Sequence, residues 1–313
     1  MTDGRPLAVR WVEPATTVPT LRVRVAPGGR VLVEADDDPL LVARVDRDWG
    51  WVSLAYAHAA GRPVQVLPPW TAAECRRIGA DGTRWSWEIR DRLRAGPRSP
   101  LHVGGWQLTE HPHPWRSSDD FASEAAGWLA DDLVEPTVRP DGSAAGDVDY
   151  VRHLPGSAAV LVPLRVLSAP DAPRVRAQRR LVREGALAPV VLLRVSGLAG
   201  HVVLDGHDRL VAARAEGVVP PFACLARTDA DDDERAQALA VAGYERTMGL
   251  LDGRGRPPGR LRHPDEHRAQ AARRLAAELA ADRAAPTWAW PLPVEEWQAV
   301  ARRIAPDWHG LGE

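Results

Sequence analysis

The sequence predicts an α+β fold: a β-rich first part, a smaller α/β part after residue 150, and a helical end. Three observations carry this. Apolar and polar residues alternate through much of the first part, short continuous apolar runs separated by Arg- or Ala-rich segments occupy the stretch up to Arg227, and the chain beyond Arg227 has helical periodicity. With 313 residues, 45% of them hydrophobic and 26% charged, the composition is that of a globular protein with room for more than one domain.

In chain order, "LRVRV" and "RVLVEA" flank the turn "APGGR", a hairpin signal. "PLLVARV" and "WGWVSLAYA" continue as strands. Thr71 suits a helix N-cap, and Gly79 and Gly82 should divide the segment ending near Gly96 into two helices. "SSDDFASEAAGWLADDLV" reads as a further helix opened by capping residues. "EPTVRPDGSAAGDVD", residues 135–149, has the Pro, Gly and small polar residues of a linker. It divides a β-rich domain over 1–134 from an α/β domain over 150–228, with a helical extension over 229–313. In the second domain "AAVLVPLRVL", "APVVLLRV" and "GHVVLD" read as buried strands.

Several function classes fall away on composition. A formal net charge of -2 provides no bulk attraction to nucleic acid or anionic membrane. No apolar run is long enough for a membrane helix, and the N-terminus lacks a signal-peptide pattern, so a cytoplasmic protein is expected. Two cysteines make neither a disulfide framework nor a metal cluster. The chain contains no lysine, which removes Schiff-base chemistry and a P-loop lysine, so a phosphate would be held by Arg, backbone N–H groups or a metal. The 13 Trp residues, set against two Phe and three Tyr, read as core packing more than as stacking platforms, and "WAWPLP" (288–293) as a packing strap.

The stretch "HVVLDGHDRLVAARAEG", residues 201–217, carries the chemistry. It reads as a strand, a tight turn and a helix closed by Gly217. A helix start leaves backbone N–H groups unpaired and adds partial positive charge, and a glycine there admits close approach by a ligand. Gly206, His207 and Arg209 thereby suit a phosphate or carboxylate, with His207 able to donate or shuttle a proton. Asp205 and Asp208 suit helix capping or a metal bridging to phosphate.

Residues 162–227 resemble the ParB/sulfiredoxin-like superfamily. The order of parts is similar: the strand "VPLRVL", the Arg-bearing segment "APRVRAQRRLVREGAL", a "PVVL" strand, a strand ending in a "DGHxRLxAAR" box, and the closing strand "GVVPPFACL". The resemblance implies a nucleotide platform on which Gly206, His207 and Arg209 face phosphates, Arg174 adds a ligand-binding guanidinium, and Asp205 organises the turn or a Mg²⁺ ion. Sulfiredoxin chemistry is not expected, because the box holds His207 and Asp208 where sulfiredoxin has a Cys, and Cys224 lies on the closing strand. ParB clamps carry an Arg-rich box and a helix-turn-helix module that is not recognisable here, and the "DGH-R" form looks more like the kinase branch. There a carboxylate activates the acceptor hydroxyl, and Asp171 and Glu184 are candidates by chain position.

The leading expectation is a nucleotide-dependent enzyme using ATP or another nucleotide with Mg²⁺, a phosphotransferase or nucleotide hydrolase acting on a small molecule. Asp205, His207 and Arg209 are its catalytic candidates. The alternatives are a nucleic-acid-associated switch or nuclease, favoured by a basic face joining Arg176, Arg179 and Arg180 to the arginines of residues 254–262, and a non-catalytic scaffold whose pocket above Gly206 is filled by side chains. "RVRAQRRLVR" (174–183) reads first as an amphipathic helix with arginines outward. "HPDEHR" (263–268) and "EHPHPW" (110–115) have His spacings seen in metal sites but prolines that favour a helix start and a rigid loop, and the acidic run at 228–235 suits a helix N-terminus.

Overall fold

The computed structural model describes residues 8–46, 51–57, 65–111, 137–138, 144–149, 160–195, 198, 200–228, 241–249, 251, 265, 267–269, 271–273, 275 and 289–308. Five strands come first: β1 (Ala8–Glu13), β2 (Leu21–Ala26), β3 (Arg30–Ala35), β4 (Asp38–Asp46) and β5 (Trp51–Tyr56). β2 and β3 form the expected hairpin, with Gly28 and Gly29 at φ +75° and +69° in the turn, a conformation open to glycine. β3 and β4 are joined through Asp36 and Asp37, both at positive φ, as a tight hairpin requires and Asp tolerates.

Two helices follow, α1 (Ala72–Ile78) and α2 (Gly82–Ala95), divided as the glycines predict. Thr71 caps α1 in a full capping box with Glu74, and Asp81 caps α2 by accepting from the Arg84 N–H. Next come β6 (Gly104–His111), β7 (Thr137–Val138), β8 (Ala144–Asp149), β9 (Val160–Pro163), α3 (Pro173–Arg183), β10 (Val190–Val195), β11 (Gly200–Asp205), α4 (His207–Ala215), β12 (Phe222–Thr228), β13 (Trp290–Pro291) and α5 (Val294–Ile304). The helix expected at 117–134 lies outside the described residues.

The strands make two sheets, so the class is α+β. One has seven strands in the order β13-β2-β3-β4-β5-β8-β7, the other six in the order β1-β6-β12-β10-β11-β9. In the second sheet β10 is parallel to β12 and antiparallel to β11, and β11 is parallel to β9. A single buried cluster joins Leu54 of the first sheet, Ile89 of α2 and Val191 and Leu225 of the second sheet.

The domain division read from the sequence needs correction in two places. Residues 135–149 contain β7 and β8, and β8 pairs with β5 from Trp51↔Asp149 to Tyr56↔Ala144. Backbone pairing asks little of side-chain pattern, which is why a Gly- and Ala-rich stretch hid a strand. The parts on either side of 135–149 also share a sheet, since β6 lies beside β12. Residues 1–226 and 287–313 accordingly make one compact unit and residues 227–286 another. Within the second unit, residues 241–249 are helical. No helix among the described residues is long and apolar enough to cross a membrane.

The end of the chain is structural. β13 adds to β2 in parallel, and α5 lays Trp297 and Ala301 against Leu32, Val42 and Ala55. Trp297 is 1% exposed and donates its indole N–H to the Val31 carbonyl at 3.0 Å, with the Trp308 ring 5.9 Å away. Arg24 holds α5 from β2 through two bonds to Glu296, at 2.6 and 3.0 Å. Trp297→Ala is therefore expected to destabilise the first unit by about 3–5 kcal/mol, measured as a lower urea midpoint with an unchanged denaturant slope.

Candidate functional site

The β11–α4 junction is built on one backbone conformation. Asp205 ends β11, and Gly206 turns the chain into α4 at φ +99°. A methyl group on Gly206 would lie 2.9 Å from Nη2 of Arg209 and 3.1 Å from the Val190 Cα, so the position has neither conformational nor spatial room for a side chain. Gly206 also provides no side-chain cap for α4, and its carbonyl accepts the first helical bond from the Leu210 N–H at 2.8 Å. No N-cap side chain accepts from the first turn of α4, while Gly206 and His207 are themselves buried.

The side chains around this turn act mainly as struts. Arg209 is 6% exposed; its Nη2 donates to Asp205 Oδ2 at 2.8 Å and to the Pro189 carbonyl at 3.0 Å, tying α4 to β11 and to the entrance of β10. His207 is 5% exposed, and its Nε2 accepts from the Leu164 N–H at 3.0 Å. Burial, with the nearby Arg165 charge adding to it, pushes the His207 imidazole down to about 3, so the ring is neutral and an acceptor at Nε2. The expected direct roles of Arg209 as a phosphate donor and His207 as a proton shuttle do not match this placement. Both side chains point inward because they are the polar partners that let strand, turn and helix bury together. Asp205 keeps 26% of its side chain exposed.

Asp208 faces the other way along α4. Its Oδ1 accepts from Arg165 Nη2 and from the Ser168 hydroxyl, both at 2.7 Å. Burial would raise this carboxyl, but the Arg165 and Ser168 hydrogen bonds outweigh it and hold the group below its ordinary value. Ser168 lines a cavity of about 510 Å³ together with Val166, Leu167, Pro170, Val211 and Arg214. Its walls come from the segment after β9 and from α4, where Val211, Arg214 and Ala215 fall at helical spacing.

The remaining candidates separate. Arg174 is exposed on the first turn of α3, which packs against α4 through Val175, Val211 and Ala212. Asp171 is exposed before α3, and its carbonyl accepts from Arg176. Glu184 is held by Arg76 and Arg180 at 2.8 and 3.0 Å, and these two hydrogen bonds lower its carboxyl below the ordinary range. Arg179 pairs with Glu216 at 2.6 Å, so the outward face of α3 is mixed in charge. Residues 254–262 lie outside the described residues, as do residues 112–115 and His263. Burial pushes the Cys224 thiol up to about 12, leaving it unreactive. Among the described residues no group of three His, Cys, Asp or Glu side chains could hold a metal.

Arg165 and Ser168 escaped sequence reasoning because their partner Asp208 is 40 residues or more away in the chain. The signal present was local: two polar residues in an otherwise apolar opening segment, "VPLRVLSAP". No protein-family model, no curated protein and no solved structure matches the chain.

Two outcomes follow from the struts. Arg209→Ala leaves Asp205 without its cation and is expected to lower stability by about 3 kcal/mol in denaturant melts without any ligand, the low end for a broken buried pair because Asp205 keeps solvent contact. His207 titrates near 6.5 unfolded and near 3 folded, so the unfolded chain binds the extra proton between those values. Its contribution is present above pH 6.5 and is lost as pH falls toward 3, at up to about 1.4 kcal/mol per pH unit. Stability measured against pH should show a shallower acid limb for His207→Gln than for wild type.

Proposed function

We propose that residues 160–228 are a ParB/sulfiredoxin-like nucleotide platform, and that the protein is a cytoplasmic nucleotide-dependent enzyme. The reaction class is phosphoryl transfer to a small molecule or nucleotide hydrolysis, assisted by Mg²⁺. The observation that carries this reading is the start of α4: a helix opening on a left-handed glycine with no side-chain cap, braced by buried His207 and Arg209, on a helix whose later residues Val211, Arg214 and Ala215 line a cavity of about 510 Å³. A braced helix start keeps its N–H groups oriented for phosphate oxygens before the ligand arrives, which is how preorganised donors contribute to phosphoryl transfer.

In this reading the first-turn N–H groups and Arg174 bind phosphate, while Arg209 and His207 position the turn. Asp205 and Asp208 are the nearby carboxylates. Magnesium bound through substrate phosphates takes one or two carboxylates from a protein, and the partly exposed Asp205 suits that demand. The ion, when bound, neutralises charge on the phosphoryl group being transferred.

The mixed charge on the outward face of α3 favours a small-molecule substrate over a nucleic-acid backbone, because Arg179 and Arg180 already face Glu216 and Glu184. The space beside Gly206 is filled by Arg209 and Val190, as a scaffold would have it, and it is the separate cavity along the later residues of α4 that favours a ligand site.

Thermal shift against ATP, ADP, CTP and GTP with Mg²⁺ tests the reading. A nucleotide at a hundred times its dissociation constant should raise the melting temperature by roughly 5 °C. Arg174→Ala should abolish most of that rise while leaving the ligand-free melting temperature unchanged, since Arg174 is exposed. No rise with any of the four nucleotides for the folded protein would overturn the platform.

A further inference from the structure

Three side chains, Arg165, Ser168 and Asp208, meet where the segment after β9 packs on α4. Ser168 donates its hydroxyl to Asp208 Oδ1 at 2.7 Å, Arg165 Nη2 donates to the same oxygen at 2.7 Å, and Arg165 Nη1 reaches the Ser168 Oγ at 3.3 Å. Arg165 Nη1 is also anchored on the Val166 carbonyl at 3.2 Å. This is the arrangement of a nucleophile, a base within hydrogen-bond reach, and a third group that orients the base. All three side chains are half-buried, and Ser168 lies in the wall of the cavity of about 510 Å³. That volume lies in the range of small-molecule sites, and Arg214 is the charged residue of its lining. Asp208 belongs to the first turn of α4, so its hydrogen bond to Ser168 brings the hydroxyl close to that turn.

We propose that Ser168 is a phosphoryl acceptor, taking the terminal phosphoryl group of a nucleoside triphosphate bound in this cavity. The inference rests on the nucleotide-dependent reading above. In the step, Ser168 Oγ bonds to the terminal phosphorus, and the bond from that phosphorus to the β,γ-bridging oxygen breaks. The hydroxyl proton passes to Asp208 Oδ1, and the nucleoside diphosphate leaves with the electron pair of the broken bond. Asp208 remains ionised beforehand and takes the proton as the new bond forms, since a loose phosphoryl transition state asks little of the nucleophile before attack. Arg165 is a positioning residue: it fixes the Asp208 carboxylate and places positive charge beside the transferring oxygens.

The test incubates the full chain with Mg²⁺ and ATP, CTP or GTP, follows intact mass, and maps the modified peptide, with thermal shift run on the same samples. The expected result is a mass gain of one phosphoryl group, located at Ser168, at a first-order rate independent of protein concentration. Ser168→Ala should not gain the group; Ser168→Thr, which restores a hydroxyl, should gain it more slowly. Asp208→Asn should slow the transfer about a hundredfold. Arg165→Lys should slow it with the nucleotide-induced shift retained, an outcome that a purely structural role would not produce. A nucleotide-induced rise in melting temperature without phosphorylation, or with the group on another residue, overturns the acceptor role and leaves the nucleotide reading standing. No nucleotide-induced rise overturns both.

Discussion

The left-handed backbone at Gly206 is the constraint on which the site depends. A strand that ends in the sheet and a helix that packs on its face can be joined by so short a turn only if one residue adopts positive φ, and the space beside Gly206 is already filled by Arg209 and Val190. The same glycine leaves the helix start uncapped. One residue therefore sets both the geometry of the β11–α4 corner and the absence of a side-chain cap on its helix.

That corner is held by polar bonds from several segments, although the buried Nε of Arg209 has no hydrogen-bond partner. Arg209 reaches back to Asp205 and across to Pro189, His207 receives the N–H that follows β9, and Asp208 is held by Arg165 and Ser168. The bonds link α4 to β11, to the entrance of β10 and, three times, to residues 164–168, so strand, helix and the loop after β9 are ordered together. A buried arginine and a buried neutral histidine would be destabilising without these partners; with them they rigidify the turn. Rigidity at a helix start is useful for recognising a phosphoryl group, because donors that are already oriented need no reorganisation.

The first part of the chain gives this corner its support. β1 and β6 extend the sheet that carries β10 and β11, and α1 reaches α3 through the Arg76–Glu184 pair. The buried cluster that joins both sheets explains why residues 8–226 form one unit, with β13 and α5 returning to the first sheet. Among the described residues, Trp297 and Trp308 pack into the first sheet's covered face, and Trp70 and Trp85 lie against each other with centroids 4.9 Å apart. Trp87 is partly exposed, with the Arg90 guanidinium over its ring.

By itself the sequence determined what depends on neighbours in the chain. The β2–β3 hairpin, the Thr71 capping box, the break between α1 and α2, and the strand–Gly–helix corner at 201–217 were all legible, because turns and caps use residues within four positions of one another. Only the tertiary structure decided what depends on distant partners. It placed β8 beside β5 where the residues read as a linker, since an unpaired strand has no signature beyond weak propensity. It turned Arg209 and His207 inward, although their position in the box marked them equally for a ligand, because the Pro189 carbonyl and the Leu164 N–H needed partners once buried. It brought Arg165 and Ser168 to Asp208 across a separation of 40 residues or more, and formed beside them a cavity that no local pattern encodes. Local rules fix which backbone shapes are allowed; which polar groups must find one another is settled only when the sheets close and water leaves.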